Sequence, residues 1–148
     1  MASQNISTLI IDLRFNGGGY IETAGYVADL IAPKELEGKV KHTEHFNTLM
    51  QNGRASMLKQ QAYLDKDGRT MTYKGRLATM ADIDFSVAAN TKKFQKIGDL
   101  HSIKRLYFIS NSMTASASEL LISCFKPYLT IRLVGERTYG KPVGSFAI

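Results

Sequence analysis

The chain is nearly devoid of cysteine: Cys124 stands alone among 148 residues. One cysteine excludes an intrachain disulfide, so cysteine usage assigns no redox compartment. In its setting, Leu120-Leu121-Ile122-Ser123-Cys124-Phe125, it reads as a small buried hydrophobe. Histidine is also scarce, with His42, His45 and His101 only. A metal site needs three or four convergent ligands. His42 and His45 sit three apart, but no third ligand stands in register, so they read as solvated side chains and no metal is expected. No apolar run approaches the length of a membrane span, and the polar start Met1-Ala2-Ser3-Gln4 is unlike a signal peptide. No repeat or low-complexity tract interrupts the chain.

Against these absences stands an ordinary globular composition, 44% hydrophobic and 22% charged. That is enough for one domain with a real core. The net charge of +6 does not gather on one face or helix. Lys and Arg are scattered from Arg14 to Lys141, and the densest cluster, Lys92, Lys93, Lys96, Lys104 and Arg105, lacks interleaved aromatics. A nucleic-acid partner is therefore not expected.

Thr8 to Leu13 reads as a strand buried on both faces. It runs into Arg14-Phe15-Asn16-Gly17-Gly18-Gly19, a turn whose backbone can approach another group closely. Ile21, Ala24, Gly25, Ala28 and Ile31 recur at helical spacing, and Pro33 marks the stop. The stretch from about 34 to 98 is weakly periodic. Asp65-Lys66-Asp67-Gly68 predicts a hairpin turn and Asn52-Gly53 another turn, and Ala88 to Lys96 is expected to be a short helix. A second strand follows at Arg105 to Ser110, then a loop, a helix from Ala115 to Phe125 that Ser116 or Ser118 could cap, and a third strand at Ile131 to Gly135. Phe146-Ala147-Ile148 reads as a further strand. Ile10, Ile11, Leu106, Phe108, Leu120 and Leu133 are the expected core. Alternating strand, loop and helix argue for an α/β fold with sites beyond the carboxyl ends of its strands.

Two stretches can carry chemistry. The glycine run is neither a Gly-x-Gly-x-x-Gly fingerprint nor a phosphate loop. Its N–H groups can still face an anion, including the oxyanion of acyl transfer. In Thr114-Ala115-Ser116-Ala117-Ser118-Glu119, a serine before a helix is either a cap or a nucleophile at a strand-helix junction. No histidine is well placed to serve it, which leaves lysine as the base. Lys141, between Gly140 and Pro142, is the candidate.

Three blocks, Asp12-Leu13-Arg14-Phe15-Asn16-Gly17-Gly18-Gly19, Thr114-Ala115-Ser116-Ala117-Ser118-Glu119-Leu120 and Gly135-Glu136-Arg137-Thr138-Tyr139-Gly140-Lys141, resemble in sequence and order the signatures of the carboxyl-terminal processing (tail-specific) proteases, peptidase family S41. The resemblance implies a serine endopeptidase that cuts near the C-terminal region of protein or peptide substrates, without a cofactor. It implies a truncated ClpP/crotonase-like α/β core, a mainly parallel sheet with packed helices. Ser116 would be the nucleophile and Lys141 the base; Ala117 and Gly17 or Gly18 would supply the oxyanion hole. Asp12, Arg14 and Asn16 would shape the glycine turn, with Glu119 as a further motif position. Many members carry a glutamine four residues past the lysine, where this chain has Ser145. The family's N-terminal helical region and PDZ domain are not visible, so residues 1–148 are expected to be a catalytic core with an excursion at about 34–98. A periplasmic or cell-envelope location is implied for the parent protein. The alternative is a non-catalytic ligand- or peptide-binding relative of the same fold. A crotonase-type hydratase would need a coenzyme A site and a carboxylate near the glycine turn, and neither is evident.

Overall fold

A computed structural model describes residues 6–144. Its elements are β1 (Thr8–Asp12), α1 (Ile21–Ile31), β2 (Val40–Thr43), α2 (Thr48–Gln51), β3 (Thr72–Tyr73), β4 (Arg76–Leu77), β5 (Thr91–Lys93), β6 (Arg105–Ser110), α3 (Ala117–Phe125) and β7 (Thr130–Gly135), with short 3-10 turns between some of them. They form a mixed α/β fold of two units, one from residues 6–42 and 92–144, the other Thr43–Thr91. The chain leaves the first unit along β2 and returns along β5, and these two strands pair.

The first unit is built on a three-stranded parallel sheet in the order β1-β6-β7. Each parallel step needs a crossover, supplied by α1 and then by α3. Successive right-handed crossovers in one direction put both helices on one face, and α1 packs against α3. Small residues on α1, Ala24, Gly25 and Ala28, are buried and permit close approach. Leu121, Ile122, Cys124 and Phe125 of α3 complete the layer. Leu106 and Phe108 of the central strand are fully buried beneath the helices, and the Phe94 ring lies 5.4 Å from that of Phe125.

Two expected core residues are not core. Ile10 is 64% exposed and Leu133 51%. Ile10 alternates onto the face opposite Leu9 and Ile11, away from α1 and α3, so β1 is not buried on both faces. Leu133 is in register with Phe108 but sits on the edge strand. The predicted strand at Phe146 to Ile148 lies outside the described residues.

A buried ion pair fastens α1 to β2. Lys41 Nζ stands 2.6 Å from Asp29 Oδ2, with both side chains 8% exposed, and also donates to the Gly25 carbonyl. Asp29 Oδ1 accepts the Gln95 N–H. Nearby, burial pushes the Cys124 thiol up to about 11, which leaves it an inert core residue.

In the second unit the predicted hairpin forms. Asp65 Oδ1 accepts the N–H groups of Asp67 and Arg69, and Met71 N–H reaches the Tyr63 carbonyl. Lys74 and Gly75 join β3 to β4 with φ of 49° and 79°, the left-handed pair that a two-residue hairpin requires. The helix expected at Ala88 to Lys96 is absent. Its middle is β5, because β2 offers the ladder partner that satisfies the backbone of Thr91 to Lys93.

Asp29→Ala strands the Lys41 ammonium in the interior and is expected to cost about 3–5 kcal/mol. Adding Lys41→Met should recover part of that loss, as read from urea denaturation midpoints. A double variant no more stable than Asp29→Ala would show that the pair does not set the energetics of this contact.

Candidate active site

The loops that follow β1, β6 and β7 all leave the carboxyl edge of the parallel sheet, the usual place for a site in this topology. Hydrogen bonds sew them together. Buried Thr114 is the hub. Its hydroxyl donates to the Leu13 carbonyl at 2.8 Å, and its own carbonyl accepts the Tyr139 N–H at 2.9 Å. Asn111 Oδ1 accepts the N–H groups of both Phe15 and Met113, and the Asn16 carbonyl accepts the Ala115 N–H. At the sheet edge, Ser110 and Glu136 exchange two bonds, Ser110 Oγ to the Glu136 carbonyl and Glu136 N–H to the Ser110 carbonyl. That leaves no room beside Gly135, where a Cβ would meet the Ser110 oxygen at 2.3 Å.

Ser116 is the N-cap of α3, with φ 56° and ψ −118°. A left-handed φ is costly for a residue with a Cβ and persists only where its surroundings enforce it. Here it turns the chain sharply from loop to helix and leaves Ser116 half-buried, with the next residue, Ala117, buried. Ala117 opens the helix, and its N–H, one of the orphan donors of a helix start, has no partner among the described residues.

The glycine turn lies directly against this corner. At Gly18, with φ 107°, an added Cβ would come within 2.7 Å of Ser116 Cβ, 2.8 Å of the Ala115 oxygen and 2.9 Å of the Ala117 nitrogen. Only glycine allows that approach. Asn16 Oδ1 accepts the Gly18 N–H at 3.0 Å, whereas the Gly17 N–H is unpartnered among the described residues. Asp12 shapes the start of the turn. Its carboxylate takes the Arg14 guanidinium and the Arg14 N–H, which hold Asp12 below the usual carboxylate range.

The lysine turn reaches the same corner through Glu119. The Glu119 carboxylate accepts the N–H groups of Ser116 at 2.8 Å, Gly140 at 2.7 Å and Lys141 at 2.9 Å, and the Thr138 hydroxyl as well. Burial pushes the Glu119 pKa up, but the four donors outweigh it and hold the carboxyl below its ordinary 4.5. A lowered folded-state pKa makes the contribution complete above the ordinary carboxylate range, and it fades as pH falls through the lowered value.

The structure therefore brings the Ser116 and Lys141 backbones onto one carboxylate oxygen, Oε2. The Ser116 hydroxyl and the Lys141 ammonium make no hydrogen bond with each other among the described residues, and Lys141 is exposed. Such bonds often tighten only when substrate is bound. Ser145 lies outside the described residues. His42 lies on β2, His45 just beyond it and His101 before β6, none within the three loops, and no group of three metal-ligating side chains occurs among the described residues. The roles of Thr114 and Asn111 escaped the sequence reading. A polar residue in a loop gives no sign of a distant partner, and the fold supplies Leu13 to Thr114 across 101 positions and Phe15 to Asn111 across 96.

Gly18→Ala is expected to lower stability by about 1–3 kcal/mol, through its φ and the collision with Ser116. Gly17→Ala, where a Cβ would meet nothing within 4 Å, should stay within about 0.5 kcal/mol of the parent. Equal denaturation midpoints for the two variants would show that the glycine turn does not press on the serine corner.

The sequence model of Peptidase family S41 matches residues 1–147. Comparison with curated proteins gives no match. Among solved structures, a protein from Bacteroides fragilis NCTC 9343 assigned as an S41 protease superposes with a TM-score of 0.53 at 17% identity. The superposition covers 93% of this chain and 27% of that one, a likeness of fold. No helix among the described residues is long and apolar enough to cross a membrane. With the family match spanning nearly every residue, and the serine corner, glycine turn and lysine turn meeting in one place, the chain belongs to peptidase family S41.

Proposed function

We propose that the protein is a serine endopeptidase in which Ser116 is the nucleophile and Lys141 the general base. The observation that carries this reading is the convergence of the Ser116 and Lys141 backbones on Glu119, at a corner that strains Ser116 into a left-handed φ. A nucleophile on such a corner presents its oxygen to substrate, with the first helical N–H beside it.

The chemistry follows from these positions. Neutral Lys141 Nζ takes the Ser116 hydroxyl proton as Oγ bonds to the scissile carbonyl carbon. The carbonyl π electrons move to oxygen, and that oxyanion is met by the Ala117 N–H and an N–H of the glycine turn. Gly17 is the ready donor, and Gly18 becomes one when Asn16 Oδ1 releases it. Collapse breaks the C–N bond, and the lysine proton passes to the departing amine. Water then attacks the acyl-serine with Lys141 again as base, which frees the new carboxyl end and restores both residues. No step calls for a cofactor.

The three loops also offer large exposed apolar side chains, Phe15 and Tyr20 in the first, Met113 in the second, and Tyr139 and Val143 in the third. They suit an extended polypeptide with apolar side chains, and family membership favours cleavage near a protein's C-terminal region. We read the βαβ order with both helices on one face as the ClpP/crotonase arrangement, and the chain as the catalytic core, with Thr43–Thr91 as the excursion within it. A PDZ domain that delivers the substrate tail, and a cell-envelope setting, belong to this reading on family grounds.

In the purified protein acting on an unstructured peptide with an apolar C-terminus, Ser116→Ala should abolish turnover and Lys141→Ala should lower kcat about 10²–10⁴-fold. Replacing His42, His45 and His101 together in a folded variant should leave kcat nearly intact. Retained turnover in Ser116→Ala would remove Ser116 as the nucleophile, a large loss in the triple histidine variant would favour a histidine base, and no turnover in the parent protein would favour a binding role.

A further inference from the structure

We propose that Glu119 is a positioning residue for this reaction, one whose carboxylate holds the lysine turn in register with the nucleophile corner; the proposal rests on the serine-lysine reading above. An ordinary capping box asks one thing of its glutamate, that it accept the N-cap N–H. Glu119 does this for Ser116 at 2.8 Å. The same carboxylate takes the N–H groups of Gly140 at 2.7 Å and Lys141 at 2.9 Å, and the Thr138 hydroxyl. A helix cap has no need of donors from a loop 19 to 22 residues farther along.

The lysine turn needs such a hold. Gly140 has φ 85°, and Lys141 is exposed with no other hydrogen bond among the described residues. Nearer to β7, the Tyr139 N–H reaches the Thr114 carbonyl and the Glu136 N–H the Ser110 carbonyl, but neither bond fixes the Lys141 backbone itself. On the serine side, the N–H of the strained residue ends on the same Oε2 as the Lys141 N–H. One oxygen thus sets the separation of the two reacting residues from their backbones outward. Charge is part of the function, because a carboxylate has only acceptors and meets four donors. An amide would set its own NH₂ against one of them.

The experiment compares kcat and KM of the parent protein, of Glu119→Gln, of Lys141→Ala and of the double variant that combines the two replacements, on one unstructured peptide with an apolar C-terminus. A drift of about 1 Å in a reacting group costs on the order of 100-fold. Glu119→Gln should therefore lower kcat about 100-fold and change KM less than about threefold. In the Lys141→Ala background the same replacement should cost less than about threefold, because the residue it positions is already gone. A merely structural glutamate would depress both backgrounds alike, and equal losses overturn the proposal. Should Glu119→Gln not fold, Glu119→Asp keeps the charge but falls short of the lysine turn, and it should show the same loss in kcat. A parental kcat in either folded variant overturns the proposal while leaving the dyad standing. A parental kcat in Lys141→Ala would instead remove the dyad itself.

Discussion

One carboxylate ties the Ser116 corner to the backbone of the Lys141 turn. The three loops at the carboxyl edge of the sheet are separate in sequence, and each alone is an ordinary turn. Glu119 joins the second to the third by accepting the N–H groups of Ser116, Gly140 and Lys141. Thr114 joins the first to the second through the Leu13 carbonyl. Without these bonds the parallel sheet would still place the loops near one another, but without a fixed geometry between Ser116 and Lys141. Effective catalysis depends on that fixed geometry more than on which side chains are present.

The strain in the site is supported by this network. Ser116 and Phe15 both carry left-handed φ values, 56° and 62°, at positions with side chains. Each has its N–H tied by a side chain from the segment that follows β6, Ser116 by Glu119 and Phe15 by Asn111. Conformations of this kind survive only where neighbouring contacts over-determine them. The buried layer beneath, Leu106 and Phe108 under α1 and α3, supplies the rigid base on which the loops stand.

Much of this arrangement was legible in the sequence because the signals were local. Thr8 to Asp12 and Arg105 to Ser110 are apolar, β-rich runs, and Ile21 to Ile31 has helical periodicity ended by Pro33. A serine at the start of α3 announced a cap, and the glycine run announced a close approach that Gly18 makes. What failed to show was non-local. Ile10 and Leu133 look like core residues in the sequence, yet their burial depends on which face and which edge of the sheet they occupy. Ala88 to Lys96 has plausible helical composition, but pairing with β2 made its middle a strand. The second duty of Glu119, to a turn 19 to 22 residues away, follows only from the fold.

The most direct test of the account is a crystal structure of the protein after reaction with a phosphonate ester that bonds irreversibly to an activated serine. The account predicts phosphorus on Ser116 Oγ, its anionic oxygen facing the Ala117 N–H and the glycine turn, and Lys141 Nζ within about 3.2 Å of Ser116 Oγ. A phosphonate on any other residue, or a Lys141 side chain directed away from an occupied Ser116, would contradict it.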